Sequence, residues 1–260
     1  MANIHINKND IHLWVCRPQK IQSPELLQAY KALLTAEETT KQQRYRFAKD
    51  QHDALVTRAF VRDLLSQYAD TAPQDWRFEK GEKDKPEIIN PPLPLRFNIS
   101  HTTDMIICAV TLEDDIGADV ENIARENDVL AIADRYFSAV ETRELFSLPT
   151  EKQRSRFFDY WTLKESYIKA CGLGLAIPLG DFSFHINKAD QASCNANIKL
   201  SFAPHRIDHP ELWRSWIFYP SAEHRASLSI KAQRNNQQQD YRLRFFESTP
   251  LISFHEKENL

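Results

Sequence analysis

The chain lacks the features that would place it in several common classes of protein. Its 260 residues contain only four cysteines, scattered without a C-x-x-C pair, so neither a disulfide framework nor a zinc finger is predicted. No apolar run is long enough to span a bilayer, and the N-terminal segment MANIHINKND lacks the basic and apolar regions of a signal peptide. The sequence therefore predicts a cytoplasmic protein with reduced thiols that is not associated with a membrane.

Strong net charge and the common catalytic motifs are also missing. The 33 basic and 36 acidic residues nearly cancel, so nucleic-acid binding is not expected and any anion site must be a local cluster. With only five glycines, the chain has neither G-x-x-x-x-G-K-[ST] nor G-x-G-x-x-G, which argues against a P-loop and a Rossmann cradle. It also has no H-E-x-x-H or G-x-S-x-G motif.

Start signals predict three helices in the first half of the chain. Ser23 and Pro24 supply an N-cap and a proline at the first helical position. Thr35 and Glu38 form a capping box for a second, short helix. Residues 50–68 repeat apolar side chains at helical spacing, which predicts a longer amphipathic helix.

Similar signals recur in the second half. Ser138 and Glu141 form another capping box, and a long helix is predicted to begin at Thr150 with Gln153 as its box partner. Gly172 is the expected stop of this helix.

Apolar and alternating segments predict the strands. These segments are IHLWVC, RFNIS, MIICAVTL and IGADVEN, followed by several short strands of an antiparallel sheet in the tail. The connector AQRNNQQQD is predicted to be a polar loop. Helices and strands thus recur in two parts of similar size. The layout predicts an α+β protein with two pseudo-symmetric lobes, residues 1–113 and 114–260, and an active site in the cleft between them.

Three carboxylates are candidates for chemistry. Asp119 and Glu121 are two residues apart on a predicted strand, so both point to one face, where they repel each other unless a cation lies between them. Glu165 and Lys169 are four apart on the long helix and therefore lie on one face. The ordinary alternatives are a solvated strand edge and a surface ion pair.

Basic residues gather in two places in the first half. One group is Lys41, Arg44, Arg46 and Lys49, and the other is Lys80, Lys83 and Lys85. Hard acids for Mg²⁺ together with bases for phosphate are what a metal-assisted reaction at a phosphoanhydride requires. The alternative is that these are simply solvated side chains.

The segment FNISHT places two polar residues, Ser100 and His101, at the mouth of a predicted core strand. A plain polar turn would explain them. Neighbours on a strand face opposite ways, so their adjacency does not make a catalytic dyad.

Three blocks together resemble the 4′-phosphopantetheinyl transferases of the surfactin-synthetase-activating (Sfp) type. They are FNISHT, IGADVEN and WTLKESYIKACGLGL, in that order, and they match the family's N-[IL]-S-H turn, G-x-D-[IV]-E strand and W-x-x-K-E-[SA]-x-x-K helix. The resemblance implies transfer of the phosphopantetheine arm of coenzyme A to a serine of an acyl or peptidyl carrier protein, with release of adenosine 3′,5′-bisphosphate. It also implies a monomer, because the trimeric members are about half this length.

The resemblance also implies roles for individual residues. Asp119, Glu121 and Glu165 would hold Mg²⁺ at the pyrophosphate, and Lys169 would contact the phosphates and stabilise or protonate the leaving group. Coenzyme A phosphates would be bound by the basic residues and the polar turn: Lys41, with Arg44 and Arg46 as substitutes, Lys85, Ser100 and His101. Asp84 stands where the family's G-K-P element has glycine.

Several alternatives remain open at the level of the sequence. The general base would be Glu165 or a water bound to the metal. The same acids would also serve a metal-dependent hydrolase of a nucleotide diphosphate linkage. A third possible function, beside the transferase and the hydrolase, is a non-catalytic module that binds coenzyme A or carrier proteins.

Overall fold

The computed structural model describes residues 4–81, 85–126, 128–186, 198–232 and 240–260. Within them it has an α+β fold, as predicted. The helices are α1 (Pro24–Leu33), α2 (Ala36–Gln43), α3 (Ala48–Ser66), α4 (Val129–Tyr136), α5 (Ala139–Ser147) and α6 (Thr150–Cys171). The strands are β1 (Asp10–Cys16), β2 (Phe78–Lys80), β3 (Pro86–Ile88), β4 (Leu95–Thr102), β5 (Met105–Leu112), β6 (Ile116–Asn122), β7 (Phe182–His185), β8 (Lys199–Phe202), β9 (Trp213–Ser221), β10 (His224–Lys231), β11 (Arg242–Thr249) and β12 (Ser253–Lys257). None of these helices is both long and apolar enough to cross a membrane.

A five-stranded sheet in the order β12-β11-β1-β5-β4 includes both ends of the chain. Strand β11 pairs parallel to β1, and β12 adds antiparallel to β11. The expected single antiparallel sheet of the tail is therefore wrong, and β12 was not predicted. The division into 1–113 and 114–260 also does not follow the sheets, because the last two strands complete the sheet of the first range. Most of the predicted loop AQRNNQQQD, residues 233–239, lies outside the described residues.

The core has two sheets in the middle and helices on both outer faces. One face of the five-stranded sheet packs against α1 and α3 through buried side chains such as Trp14 and Phe60. Its other face packs on a three-stranded sheet, β6-β10-β9, through residues such as Leu13, Ile107 and Leu228. Helix α6 covers the outer face of that second sheet. The apolar residues of β6 thus face the sheet–sheet core, which leaves its acidic residues toward α6.

Most predicted helix ends are confirmed, with one exception. The capping boxes of Thr35 and Ser138 are both formed, and Gly172 ends α6 with a left-handed φ of 70°. The predicted box at Thr150 is wrong. Helix α6 begins at Thr150, but Pro149 occupies the N-cap position without a side-chain hydrogen bond. The side chain of Gln153 instead donates to the Leu148 carbonyl.

A buried ion pair anchors α6 to its own lobe. The Lys164 ammonium lies 2.7 Å from the Glu141 carboxylate, and both side chains are 0% exposed. Lys164 also donates to the carbonyl oxygens of Leu179 and Phe182, and Glu141 accepts from the backbone N–H of Phe184. Removing one partner of such a pair typically costs about 3–5 kcal/mol, because the other charge stays buried. The lysine before Glu165 therefore orients the helix and does not face the site.

The buried His12 predicts how stability depends on pH. Its ring Nδ1 lies 2.8 Å from the Tyr68 hydroxyl, and burial, with Arg244 as the next contribution, lowers its pKa to about 4. The charges around it are Arg242, Arg244, Asp10 and Glu256. Because the unfolded chain binds this proton near pH 6.5, the free energy of unfolding should fall by roughly 3 kcal/mol as the pH drops from 6.5 to 4.

Urea unfolding at pH 7.0, 6.0, 5.0 and 4.0 would measure this loss. His12→Asn should flatten the pH dependence, whereas the same change at exposed His255 should leave it intact. Equal slopes for wild type and His12→Asn would contradict the prediction.

Candidate active site

Strands β4 and β6 and helix α6 bring Ser100, Asp119 and Lys169, respectively, into one hydrogen-bonded cluster. The Lys169 ammonium donates to Asp119 Oδ1 at 2.6 Å and to the Ser100 hydroxyl at 3.0 Å. Ser100 in turn donates to Asp119 Oδ1 at 2.9 Å. The side chain of Asp119 is only 6% exposed, whereas that of Lys169 is 29% exposed. Ser100 thus links the Asp119 carboxylate and the Lys169 ammonium from the side of β4.

The other two predicted acids, Glu165 and Glu121, lie close enough to Asp119 for its negative charge to raise their pKa values. Burial, reinforced by Asp119, raises the pKa of Glu165 to about 7. The pKa of Glu121 is also raised, again by burial first and by Asp119 second. Glu121 is partly neutralised by Arg125, whose guanidinium lies 2.6 Å from it. Three half-buried or buried carboxylates in one place are an unfavourable arrangement that a cation would stabilise.

The residues present fit Mg²⁺, although the described part of the chain holds no ready-made cluster of three His, Cys, Asp or Glu ligands. Asp119 Oδ2 is buried and has no hydrogen-bond partner among the described residues. Mg²⁺ commonly uses one or two protein carboxylates and completes its shell with water and phosphate oxygens. Asp119 together with Glu121 or Glu165 satisfies that requirement. In this structure Lys169 and Arg125 supply the positive charge at these acids.

A cavity of about 1010 Å³ opens beside this cluster. Its wall is formed by α2, the start of α3, the outer face of β4 and the end of β6, so both halves of the chain contribute. The basic and imidazole side chains in the wall are Lys41, Arg44, Lys49, Arg58, Arg125 and His101. Acidic side chains line it as well, and two of these are paired, Glu121 with Arg125 and Glu38 with Arg62. The predicted cleft is therefore present and carries a local basic cluster.

The predicted anion-binding residues divide into two groups. Lys41, Arg44 and His101 lie in the cavity wall. Arg46 is not part of the wall and stacks on the ring of Phe47, 5.5 Å from its centroid. Lys85 is not part of the wall either. Its ammonium donates to the carbonyl oxygens of Ile116 and Lys169 at 3.3 and 3.1 Å. The phosphate roles of all these residues, and that of Ser100, remain predictions.

Ser100 and His101 lie on opposite faces of β4. His101 and Ile99 face the cavity, whereas Ser100 faces β6 and the acidic cluster. The two polar residues of FNISHT thus lie on two different surfaces, His101 at the cavity and Ser100 at the acidic cluster. This split confirms the prediction that neighbouring residues of the strand face opposite ways.

Some residues of the site were missed. Arg58 and Arg125 line the cavity but carry no motif that marks them. Asn98 and Thr102 share a face with Ser100, and their spacing, N-x-S-x-T, was the available signal. Gly117 matters because a Cβ there would lie 1.9 Å from the Ser166 carbonyl oxygen of α6.

Comparisons with known proteins show the family of the chain. The family described as "4'-phosphopantetheinyl transferase superfamily" matches residues 115–230, and that described as "4'-phosphopantetheinyl transferase, N-terminal" matches residues 20–113. The 4′-phosphopantetheinyl transferase Sfp of Bacillus subtilis is 34% identical over 66% of this chain and 75% of its own length. The chain belongs to the Sfp-type 4′-phosphopantetheinyl transferase family. It is therefore a transferase, as predicted.

A second relative of this transferase is the 4′-phosphopantetheinyl transferase HetI of Nostoc, 32% identical over 67% of this chain and 73% of its own length. Among solved structures, a holo-(acyl-carrier-protein) synthase from Bacillus anthracis in complex with CoA matches with 17% identity and a TM-score of 0.36. That match covers 46% of this chain and 96% of that one.

Proposed function

We propose that the protein transfers the 4′-phosphopantetheine group of coenzyme A to a serine hydroxyl of an apo acyl or peptidyl carrier protein, with Mg²⁺ as the metal. A bond forms between the serine oxygen and the β-phosphorus of coenzyme A. The bond from that phosphorus to the bridging oxygen of the pyrophosphate breaks, and adenosine 3′,5′-bisphosphate leaves. The observation that carries the proposal is the cluster of Asp119, Glu121, Glu165 and Lys169 beside a basic cavity.

The cavity has the chemistry that coenzyme A requires. Coenzyme A carries a pyrophosphate and a 3′-phosphate, and both need cations or hydrogen-bond donors. Lys41, Arg44, Lys49 and Arg58 lie along one side of the cavity, and His101 lies on the β4 side. A volume of about 1010 Å³ lies at the upper end of the range typical of ligand sites, as a long substrate demands.

The acidic cluster would bind Mg²⁺ through Asp119 together with Glu121 or Glu165. When bound, Mg²⁺ supplies positive charge that neutralises the pyrophosphate and the developing leaving group. The side chain of Lys169 is partly exposed, and among the described residues its ammonium contacts the Asp119 carboxylate and the Ser100 hydroxyl. Lys169 would turn from Asp119 toward the phosphates when the metal takes its place.

Glu165 is our candidate for the general base that accepts the serine proton. Burial and neighbouring carboxylates raise its pKa to about 7, which is the range that suits a base at neutral pH. A water bound to the metal is the alternative base. We also retain the predictions that the enzyme is monomeric and cytoplasmic.

Family membership favours transfer over the hydrolase and the binding module. A hydrolase would release adenosine 3′,5′-bisphosphate from coenzyme A without an acceptor. A binding module would bind coenzyme A and leave it intact. The requirement for a protein acceptor therefore separates the three.

Intact-protein mass spectrometry tests the proposal directly. Apo acyl carrier and apo peptidyl carrier proteins, incubated separately with enzyme, coenzyme A and Mg²⁺, should each be examined for a gain of one phosphopantetheine mass. We expect a gain on at least one carrier that disappears with EDTA. Release of the bisphosphate without a carrier would instead indicate the hydrolase.

A further inference from the structure

The outer strand of the three-stranded sheet, β6, has a backbone edge that no strand of its own sheet covers. Strand β10 pairs with β6 along one edge, and the other edge faces β4 of the five-stranded sheet. Alternate residues of a strand direct their N–H groups to opposite edges. The N–H groups of Ala118, Val120 and Asn122 are therefore directed toward β4.

Side chains of β4 take the place of a pairing strand along this edge. Asn98 Oδ1 accepts from the Ala118 N–H at 2.8 Å, Ser100 Oγ from Val120 at 3.3 Å, and Thr102 Oγ1 from Asn122 at 3.2 Å. The three acceptors are spaced by two residues and share one face of β4. We call Asn98, Ser100 and Thr102 the β4 ladder.

The β4 ladder brackets the acidic residues of the site. The Ala118 N–H directly precedes Asp119, and the Asn122 N–H directly follows Glu121. Between them, Ser100 accepts from the Val120 N–H and donates to the Asp119 carboxylate. The backbones of β4 and β6 do not pair, so short polar side chains set the distance between the two strands.

We propose that the β4 ladder positions β6, and that Asn98 and Thr102 are positioning residues for the transfer. They would act through Asp119 and Glu121, by holding the strand that carries both. The opposite face of β4 lines the cavity with Ile99 and His101, and Thr102, at the end of the ladder, borders the cavity as well. The same strand therefore sets where the anion-binding wall and the acidic cluster lie relative to each other.

The physical reason is that an unpaired edge is easily displaced. Loss of one ladder acceptor leaves a buried or partly buried N–H without a partner, and β6 shifts or admits water to satisfy it. Even a small misplacement of a catalytic group is costly, because about 1 Å can reduce a rate by roughly 100-fold. A ladder defect should therefore affect metal binding and turnover more than coenzyme A binding.

Thr102→Val is the principal test, because valine keeps the shape of threonine and removes the acceptor. Asn98→Leu tests the other end of the ladder, at a residue outside the cavity wall. Thr102→Ser keeps the hydroxyl and should rescue. Thr111→Val is the matched control, because the Thr111 hydroxyl donates a buried 3.0 Å bond to the Asp114 carbonyl in the turn between β5 and β6 and accepts from none of the N–H groups of Ala118, Val120 and Asn122.

This inference rests on the proposed function. Its test needs two measurements. The first is kcat and the KM for coenzyme A from the carrier mass gain. The second is Mn²⁺ affinity of the free enzyme by electron paramagnetic resonance, which needs no turnover. For Thr102→Val and Asn98→Leu we expect kcat to fall about tenfold and the Mn²⁺ Kd to rise about fivefold. The KM of Asn98→Leu should stay within about twofold, because Asn98 lies outside the cavity wall.

The outcomes separate the two proposals. Values of kcat and Mn²⁺ Kd that match Thr111→Val would overturn the positioning role, even if all variants lose thermal stability equally. Failure of Thr102→Ser to rescue would overturn it as well. Absence of any mass gain with the wild-type enzyme would overturn the proposed transfer itself.

Discussion

Glu165→Gln should reduce carrier modification by about 10²–10⁴-fold, the range expected when a general base is lost. Glutamine matches glutamate in size and keeps one oxygen, but it neither accepts a proton nor contributes negative charge to a metal. The measurement is the initial rate of phosphopantetheine mass gain at saturating coenzyme A, with Mg²⁺ varied to separate weak metal binding from slow chemistry.

Glu151→Gln is the matched control for this substitution. Glu151 is an exposed residue in the first turn of the same helix, and its change should leave the rate within about twofold. The Tm of Glu165→Gln should not fall, because the change removes one of three mutually repelling carboxylates. A rate within about tenfold of wild type would remove Glu165 from the list of groups that act on the substrate.

The parts of this fold that the sequence predicts well are governed by local rules. A capping box needs only two side chains three residues apart, and those at Thr35 and Ser138 both form. The box at Thr150 failed for an equally local reason: Pro149 already occupies the N-cap position. Strand β6 was likewise predictable, because its alternation of small apolar and acidic residues assigns each to a face.

The long-range pairing could not be read from the sequence in the same way. Strand β11 pairs with β1 across more than 200 residues of chain, and no local pattern specifies a partner at that separation. The same holds for Lys85, whose contacts are backbone oxygens of Ile116 and Lys169 that no side-chain motif marks.

The site shows a similar division. The acids and Lys169 were found because their spacing on one strand and one helix has a chemical meaning. Arg58 and Arg125 were missed because no sequence pattern distinguishes an arginine of the cavity wall from an arginine elsewhere on the surface. Their shared location becomes visible only in the folded structure. Ser100 was found as part of a motif, but its role depends on β6, which lies across a sheet–sheet junction.

Gly117→Ala is expected to damage both stability and activity, because no space exists for the added methyl group. A Cβ at this position would lie 1.9 Å from the Ser166 carbonyl oxygen and 2.4 Å from the Ala170 nitrogen. Both are backbone atoms of α6, so the helix itself must move away from β6. Overpacking of this kind typically costs about 1–3 kcal/mol of the free energy of unfolding.

The displacement should also reach the chemistry. Glu165 and Lys169 stand on the turns of α6 that flank Ser166, whereas Asp119 stands on β6 two residues after Gly117. Movement of α6 therefore lengthens the distance between the two halves of the acidic cluster, and we expect kcat to fall by roughly 100-fold. Urea unfolding and the carrier assay measure the two effects on the same preparation.

Gly180→Ala provides the control, because a Cβ there would meet nothing closer than the Tyr136 carbonyl oxygen at 3.8 Å. That variant should keep both the stability and the rate of the wild type. If Gly117→Ala did the same, α6 and β6 would not be in the close contact described here. The glycine of the IGADVEN block would then need another explanation. If stability fell but kcat did not, the spacing of Asp119 from Glu165 and Lys169 would not limit the reaction.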